Sequence, residues 1–334
     1  MKATAKSVKV TTKDPFGISR TVTTARENIF LDIDGKGFGE ASANSYYGET
    51  PQTVLSHVLK LEEVLGNDPH DLERILDRLD KMVKLNPAFK AMVDMALYDL
   101  IGKELGLPLY KLWGLNPEDA PQSSFTIGLD TIPEMVRKLK EAEEYPIIKV
   151  KLGTDHDEEI IEALREETDK VIRVDANAAW TAKEAIYKID FLEAMGIEFV
   201  EQPLPPDDIE GGKEVYRNSR LPIVLDESVK TSMDIPKVVG MCDGINIKLM
   251  KSGGLREALR MISVARANSL QIMVGCMLES SLSVTAAAHF TPLVDWADLD
   301  GALLLADDPY EGMWLEDGWI KIPDRPGIGA VPRK

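Results

Sequence analysis

The chain has 334 residues, 44% of them hydrophobic, which is enough to bury a barrel-sized core and a smaller domain. Its formal net charge of −17 disfavours binding to nucleic acid or to an anionic membrane surface, so we expect neither partner. The 2 cysteines are too few for a disulfide framework, the first residues lack the apolar stretch of a signal peptide, and no apolar run approaches membrane-spanning length. A cytoplasmic protein is therefore expected.

The first part of the chain, residues 1–117, predicts an α+β capping domain, and we expect the C-terminal tail, residues 311–334, to return to it. Short apolar runs bounded by turn residues predict an antiparallel meander, and longer periodic patterns predict helices. The predicted strands are 5–10, 21–33 and 37–43, and the predicted helices begin near Pro51, Asp71 and Pro87.

Residues 118–310 alternate short β-branched runs with helical patterns, which predicts a parallel barrel. A unit of one strand, two loops and one helix needs roughly 20 to 30 residues, and the runs recur at about that interval. The predicted strands are 123–128, 147–151, 171–175, 197–201, 222–226, 245–248, 271–276 and 294–298. The predicted helices are 133–144, 157–168, 182–195, 234–241, 255–267 and 282–289, the third with a capping box from Thr181 to Glu184.

Three consecutive predicted strands end in acidic residues, namely Asp175, Glu201 and Asp226. Parallel strand ends meet at one edge of a barrel, so these carboxylates would share one crevice. Without a cation they would repel one another, and hard oxygen ligands suit Mg²⁺ better than zinc. Helix capping is the alternative role for any one of them, but three in a row favour a metal site.

Lysines flank the acidic residues in the chain. Lys149 and Lys151 are two residues apart on one strand, so both point into the barrel, and Lys248 lies four strands further on, across from Lys151. Buried lysines with lowered pKa values are suited to act as bases. Two bases on opposite sides of a metal could remove a proton from one face of a carbon and return one to the other. Lys251 is instead expected in a solvated turn.

Asp298 and Asp300 also alternate onto one face, at the end of the last predicted strand. They are placed to bind a substrate ammonium group. Helix capping, or an ordinary position in a loop, is the alternative at this stage.

These residues occur within strings that resemble the muconate-lactonizing subgroup of the enolase superfamily, and the D-x-D pair resembles that of its dipeptide epimerases. The resemblance covers the whole chain. The strings are K-V-K-L-G (149–153), V-D-A-N (174–177), V-E-Q-P (200–203), L-D-E-S (225–228), N-I-K-L-M-K-S-G-G (246–254), G-C-M-L-E-S-S (275–281) and D-L-D-G (298–301).

The resemblance implies a modified (β/α)7β-barrel with an α+β cap and one Mg²⁺ held by the three acids. It implies inversion at the α-carbon of a dipeptide's C-terminal residue, through an enediolate, with Lys151 and Lys248 as the two acid–base groups and Lys149 stabilising the anion. Asp298 and Asp300 would bind the N-terminal ammonium. Thr126, Cys276 and Arg20 would line the substrate pocket, and a homo-oligomer is plausible by the same resemblance.

Several alternatives stay open from the sequence. An N-succinylamino acid racemase or an o-succinylbenzoate synthase could use the same scaffold, although neither substrate offers the ammonium that the D-x-D pair would bind. A non-catalytic metal- or peptide-binding barrel is a third hypothesis, which the two intact lysines disfavour. Cys276 could equally be a small buried hydrophobe. Arg20 could meet an acidic substrate side chain, or it could pair with Glu49 and contribute nothing to specificity.

Overall fold

The computed structural model describes residues 1–333. Near the N-terminus, an antiparallel sheet has the order β1 (Ala3–Ile18), β2 (Thr21–Ile33) and β3 (Gly37–Ala41). The helices that follow are α1 (Pro51–Val58), α2 (Glu62–Leu65), α3 (Leu72–Met82), α4 (Pro87–Leu105) and α5 (Leu109–Leu112). The α+β character predicted for this part of the chain is confirmed.

Helix α4 forms the core of this cap, because most of its residues are buried. It begins with Pro87, whose missing N–H costs nothing in the first turn, and it ends before Gly106 in the left-handed conformation. Strand β3 lies directly against it. A side chain at Gly39 would overlap the Met92 carbonyl, so glycine permits this close approach.

Across residues 118–333, eight parallel strands follow one another around a barrel in chain order. They are β4 (Phe125–Ile127), β5 (Ile147–Lys151), β6 (Val171–Asp175), β7 (Ile197–Glu201), β8 (Ile223–Leu225), β9 (Gly244–Ile247), β10 (Gln271–Gly275) and β11 (Trp296–Asp298). The first and last strands approach through a parallel bridge between Ser123 and Ala297, which leaves the barrel nearly closed. All eight predicted strands are confirmed, some with shorter bounds.

Helices surround the barrel and carry the chain from each strand to the next. They are α6 (Ile132–Glu141), α7 (Asp157–Glu167), α8 (Ala182–Ala194), α9 (Ile209–Asn218), α10 (Ile235–Val238), α11 (Leu249–Ser252), α12 (Leu255–Ala267) and α13 (Ser281–Ala288). The capping box predicted at Thr181 and Glu184 is present. Helices α9 and α11 were not predicted. Gly211 and Gly212 weaken the helical pattern of α9, which is stabilised by Asp208 capping the Gly211 N–H.

The C-terminal tail forms β12 (Tyr310–Glu311), β13 (Trp314–Glu316), β14 (Trp319–Lys321) and β15 (Val331–Pro332). It contacts the helices of the cap: Gly327 bridges to Pro108, and the Ile328 N–H donates to Asp99. Within residues 1–333, no helix combines the length and the apolar character that crossing a membrane requires.

Candidate active site

The three acidic residues predicted as metal ligands lie together at the C-terminal end of the barrel. Asp175 ends β6, Glu201 ends β7, and Asp226 directly follows β8. All three are buried, and one oxygen atom from each lies within 4.8 Å of the others. Because adjacent parallel strands are in register, three consecutive strand ends bring these side chains into one crevice.

In each carboxylate, one oxygen accepts a hydrogen bond from a group fixed in the surrounding fold. The pairs are Asp175 Oδ1 with the Asn177 N–H (2.8 Å), Glu201 Oε1 with the Asn246 side-chain amide (2.7 Å), and Asp226 Oδ1 with the Lys251 ammonium. These contacts fix the orientation of the three carboxylates.

The second oxygen of each carboxylate is close to one of the three lysines predicted from the sequence. The pairs are Asp175 Oδ2 with Lys151 Nζ (2.6 Å), Glu201 Oε2 with Lys149 Nζ (2.6 Å), and Asp226 Oδ2 with Lys248 Nζ (2.8 Å). The ammonium groups offset the negative charge that the acids would otherwise concentrate in a dry crevice.

The donor atoms of the cluster fit a divalent cation. Burial opposes ionisation of all three acids, but nearby lysines outweigh it and lower the pKa values of Asp175 and Asp226. At Glu201, burial and the charge of Asp175 outweigh the effect of the lysines and raise the pKa to about 7. The buried Glu201 Oε2 also receives no well-aligned hydrogen bond from the described residues. An all-oxygen donor set of three carboxylates, one of them with an oxygen that lacks such a partner, is suited to Mg²⁺.

Lys149 and Lys151 lie on the same face of β5, as their spacing predicts, and both are buried. Lys149 is fully enclosed and also donates to Asp298 Oδ2 at 2.7 Å. Burial would lower the pKa of Lys149, but Asp298 and Glu201 outweigh it and raise the pKa. Lys149 is therefore held as a fixed cation, whereas Lys151 reaches the cavity over the site.

The D-x-D pair lies beside β4, on the far side of Lys149 from the acid cluster. Asp298 Oδ1 accepts hydrogen bonds from Ser124 Oγ (2.7 Å) and Thr126 Oγ1 (3.2 Å), and Asp300 Oδ2 accepts one from the Thr126 N–H (2.6 Å). Burial opposes ionisation of Asp298, but Lys149 and Lys151 lower its pKa to about 2. Burial and the charge of Asp298 raise the pKa of Asp300 to about 7.

A cavity of about 460 Å³ lies between the barrel and the cap. The groups predicted to contact substrate line it together with loop residues of the cap, namely Lys151, Asp226, Lys248, Asp298, Asp300, Thr126, Cys276, Arg20, Tyr46 and Tyr47. The cavity thus brings Asp226 and two lysines together with the D-x-D pair.

Arg20 does not pair with Glu49. Its guanidinium donates to Glu227 Oε1 at 2.9 Å and lies 4.5 Å from the centre of the Tyr46 ring. Glu49 instead accepts the N–H groups of Ala88 and Phe89 and so caps α4. The pairing expected as one role of Arg20 is therefore wrong, because the first turn of α4 already uses the Glu49 carboxylate.

Lys251 is buried and ion-paired, so the expectation of a solvated turn is wrong. The turn after Lys248 is helical, and this rotates Lys251 back towards Asp226. Cys276 is half-buried beside the cavity, and its thiol contacts the Asp298 carbonyl and the Gly301 N–H. Asn246 was also missed, although its place two residues before Lys248 on one strand puts both side chains on the same face.

The fold and the site define a class: a barrel with an α+β cap, with three acidic side chains that could hold a metal ion between lysines at the strand ends. Two family models match, described as "Enolase C-terminal domain-like" over residues 132–334 and "Mandelate racemase / muconate lactonizing enzyme, N-terminal domain" over residues 1–114. The chain belongs to the mandelate racemase/muconate lactonizing enzyme family of the enolase superfamily.

Several similar proteins within this family are named as epimerases of dipeptides. The L-Ala-D/L-Glu epimerase of Bacteroides thetaiotaomicron is 44% identical over 317 residues, covering 94% of this chain and 82% of the relative. The substrate-liganded L-Ala-D/L-Glu epimerase of Bacillus subtilis superposes with a TM-score of 0.94 at 31% identity, over 99% of this chain and 98% of that one. A dipeptide epimerase of Enterococcus faecalis, complexed with Mg and L-Leu-L-Tyr, has a TM-score of 0.93 at 32% identity, covering 98% of both chains.

Proposed function

We propose that the protein is a Mg²⁺-dependent dipeptide epimerase, which inverts the α-carbon of the C-terminal residue of a dipeptide. The observation that carries this proposal is the single cavity that Lys151, Lys248, Asp298 and Asp300 line together. It offers two bases for one carbon and two carboxylates for an ammonium group. The relatives named dipeptide epimerases support the same activity.

Asp175, Glu201 and Asp226 would hold the Mg²⁺, each through one oxygen atom. When bound, Mg²⁺ supplies electrostatic stabilisation of the substrate carboxylate and of the negative charge that develops there. Lys149 adds a fixed positive charge next to Glu201 and Asp298. This charge favours loss of the neighbouring α-proton, because the resulting anion is otherwise too unstable to form at a useful rate.

Lys151 and Lys248 would exchange acid and base roles. Each is held by a different carboxylate of the acid cluster, Asp175 for Lys151 and Asp226 for Lys248, so their ammonium groups approach the cavity from separate strands. The neutral lysine on one side takes the α-proton, and the protonated lysine on the other side delivers one to the opposite face. The product is the other epimer, and the two lysines exchange protonation states.

Asp298 and Asp300 would bind the N-terminal ammonium of the dipeptide and so set the position of the α-carbon between the lysines. Thr126 and Ser124 orient them by hydrogen bonds. Thr126, Cys276 and Arg20 would line the pocket for the substrate side chains.

We also propose domain bounds of 1–117 for the cap, with 311–334 joining it, and 118–310 for the barrel. The cytoplasmic location and a homo-oligomeric state stay predictions.

A mass-spectrometric screen for deuterium uptake tests the activity. Purified protein with MgCl₂ in deuterated water should label the α-carbon of the C-terminal residue in a subset of L-dipeptides from a broad library. Chelation with EDTA should stop the uptake, and MgCl₂ should restore it. N-succinyl amino acids form the comparison set. Uptake into these alone, unchanged by Asp298→Asn, would support a racemase of N-acylated substrates instead.

A further inference from the structure

Beyond the three carboxylates themselves, the structure shows which neighbouring groups hold their oxygen atoms in place. In Asp226 and Glu201 the two oxygens have different surroundings: one is held by a donor in the fold, and the other is close to a lysine of the site. In Asp175 the Asn177 backbone holds one oxygen, and the Asn177 side chain (3.3 Å) and Lys151 both contact the other. The donors to Asp226 and Glu201 are side chains, so they can be changed one at a time.

Lys251 is the donor to Asp226. Its ammonium is fully buried and contacts Asp226 Oδ1, and it donates to the carbonyl oxygens of Asp226 (2.6 Å), Asn246 (3.0 Å) and Val229 (3.1 Å). Lys248 lines the cavity and donates to the other oxygen of Asp226, Oδ2. The Asp226 carboxylate therefore has an inner oxygen facing Lys251 and an outer oxygen facing the cavity.

Asn246 plays the matching part for Glu201. It lies on β9 and donates from its side-chain amide to Glu201 Oε1 at 2.7 Å, while Glu201 Oε2 is close to Lys149. Asn246 itself is fully buried. A side chain in place of Gly275 on the next strand would lie 2.9 Å from the Asn246 amide, so glycine is needed there to leave space for this donor.

We propose that Lys251 and Asn246 are positioning residues that each withhold one oxygen of a metal-binding carboxylate, and thereby make the site select Mg²⁺ over Ca²⁺. This inference rests on the Mg²⁺ site of the proposed function. Neither residue touches the substrate or the reacting atoms; both act through Asp226 and Glu201.

The physical basis is the different coordination of the two cations. Ca²⁺ takes six to eight oxygens and readily accepts both oxygens of one carboxylate, whereas Mg²⁺ requires a near-octahedral set at shorter distance. Lys251 and Asn246 do not line the cavity, so they stay on the inner oxygens and leave each carboxylate with one oxygen that can turn to a cation. Ligands restricted in this way would suit the smaller shell of Mg²⁺, and they would supply fewer carboxylate oxygens than Ca²⁺ prefers.

Calorimetric titration of the metal-free protein with MgCl₂ and with CaCl₂ tests the proposal. The wild type should bind Mg²⁺ at least as tightly as Ca²⁺. In Lys251→Met, the Mg²⁺-to-Ca²⁺ affinity ratio should fall about tenfold, in line with the usual effect of losing a partner of a metal ligand. The ratio is the informative quantity, because loss of the ammonium charge affects two divalent cations alike.

Lys248→Met is the matched control. It removes an equal charge from the same carboxylate, but from the outer oxygen, so both affinities should change together and the ratio should stay within about twofold. Asn246→Leu repeats the test at Glu201 and is decisive if Lys251→Met does not fold. An unchanged ratio in the folded variants, an equal change in Lys248→Met, or a wild type that prefers Ca²⁺ would each overturn the proposal.

These titrations contain no dipeptide, so they are separate from the test of the activity. A wild type that binds Mg²⁺ but labels no dipeptide would contradict the proposed function and leave the selectivity result standing. A wild type that labels dipeptides, with an unchanged ratio in the variants, would contradict the positioning roles alone.

Discussion

At the scale of single residues, Gly275 at the end of β10 shapes the site without contributing a side chain. An added Cβ would lie 2.9 Å from the Asn246 amide and 3.1 Å from Lys248 Cε. Side chains cannot approach buried neighbours at such distances without displacing them. Glycine here makes room for a donor to Glu201 and for one of the two proposed bases.

We therefore predict that Gly275→Ala lowers kcat at least tenfold, because a base displaced by a fraction of an ångström loses alignment with the α-proton. Overpacking should also reduce the free energy of unfolding by about 1–3 kcal/mol. Gly212→Ala is the control: its Cβ meets only the flexible end of Met241, so kcat should be unchanged. Equal kcat in wild type and Gly275→Ala would contradict the account.

Asp300 provides a prediction about pH. Its pKa is raised to about 7 by burial and by the charge of Asp298, so Asp300 becomes neutral as the pH falls below that value. A neutral carboxyl binds an ammonium group more weakly, so kcat/KM should fall as the pH falls through about 7. Asp300→Asn should lower kcat/KM by about tenfold to a hundredfold and lose this acidic limb. If Asp300→Asn showed the same fall of kcat/KM at low pH, the titration of another group would be the cause.

At the scale of secondary-structure elements, His289 joins the tail to the cap. It directly follows α13 and is fully buried. The Tyr110 N–H of α5 donates to its Nδ1 (3.3 Å), and its Nε2 lies 2.9 Å from the Ile328 carbonyl in the tail. Since the first partner only donates and the second only accepts, the ring is neutral with its proton on Nε2.

Because this buried ring is neutral, the free energy of unfolding should decrease as the pH falls. Burial lowers the pKa of His289 to about 4, from an ordinary 6.5, so the unfolded chain takes up the proton first. The contribution is complete above pH 6.5 and is lost as the pH falls towards 4, amounting to about 2 kcal/mol by pH 5. Urea unfolding at pH 7 and pH 5 should show this loss in the wild type and a smaller one in His289→Gln. Parallel losses in both proteins would exclude His289 as the cause.

The elements show how far the sequence could predict this structure. The alternation of strand and helix predicted the barrel, because each strand must be followed by a crossover of nearly constant length. The acids and lysines at strand ends followed from the same periodicity. Lys251 was misplaced because it lies in a single helical turn too short to have a pattern of its own. The partner of Arg20 depends on how the cap packs on the barrel, which local spacing does not encode.

At the scale of the whole molecule, buried polar contacts join the cap sheet to a barrel loop. Glu40 on β3 accepts hydrogen bonds from the Ser280 N–H (3.0 Å) and the Asn28 amide (2.8 Å). Asn28 and Ser42 also donate to the Leu278 carbonyl. The loop between β10 and α13, whose residue Leu278 lines the cavity, is therefore held by the cap.

Glu40 should make the native protein less stable in base. Burial and the charge of Glu279 raise the pKa of Glu40 to about 8, from an ordinary 4.5, so the folded state keeps a proton that the unfolded chain releases. Stability is therefore highest below pH 4.5 for this group, and it falls as the pH rises to about 8. Between pH 6 and pH 9 the loss should be about 3 kcal/mol, and Glu40→Gln should abolish most of it in urea unfolding. A loss of equal size in the variant would contradict this assignment.

The claim that Lys151 and Lys248 serve opposite faces of one α-carbon has a direct test. Lys151→Ala and Lys248→Ala are each incubated with MgCl₂ and the two epimers of one active dipeptide in deuterated water, and α-deuterium is measured by mass spectrometry. Each variant keeps one base, so it should label a single epimer without inverting it, and the two variants should label opposite epimers. Labelling of the same epimer by both variants, or of both epimers by either one, would contradict the account.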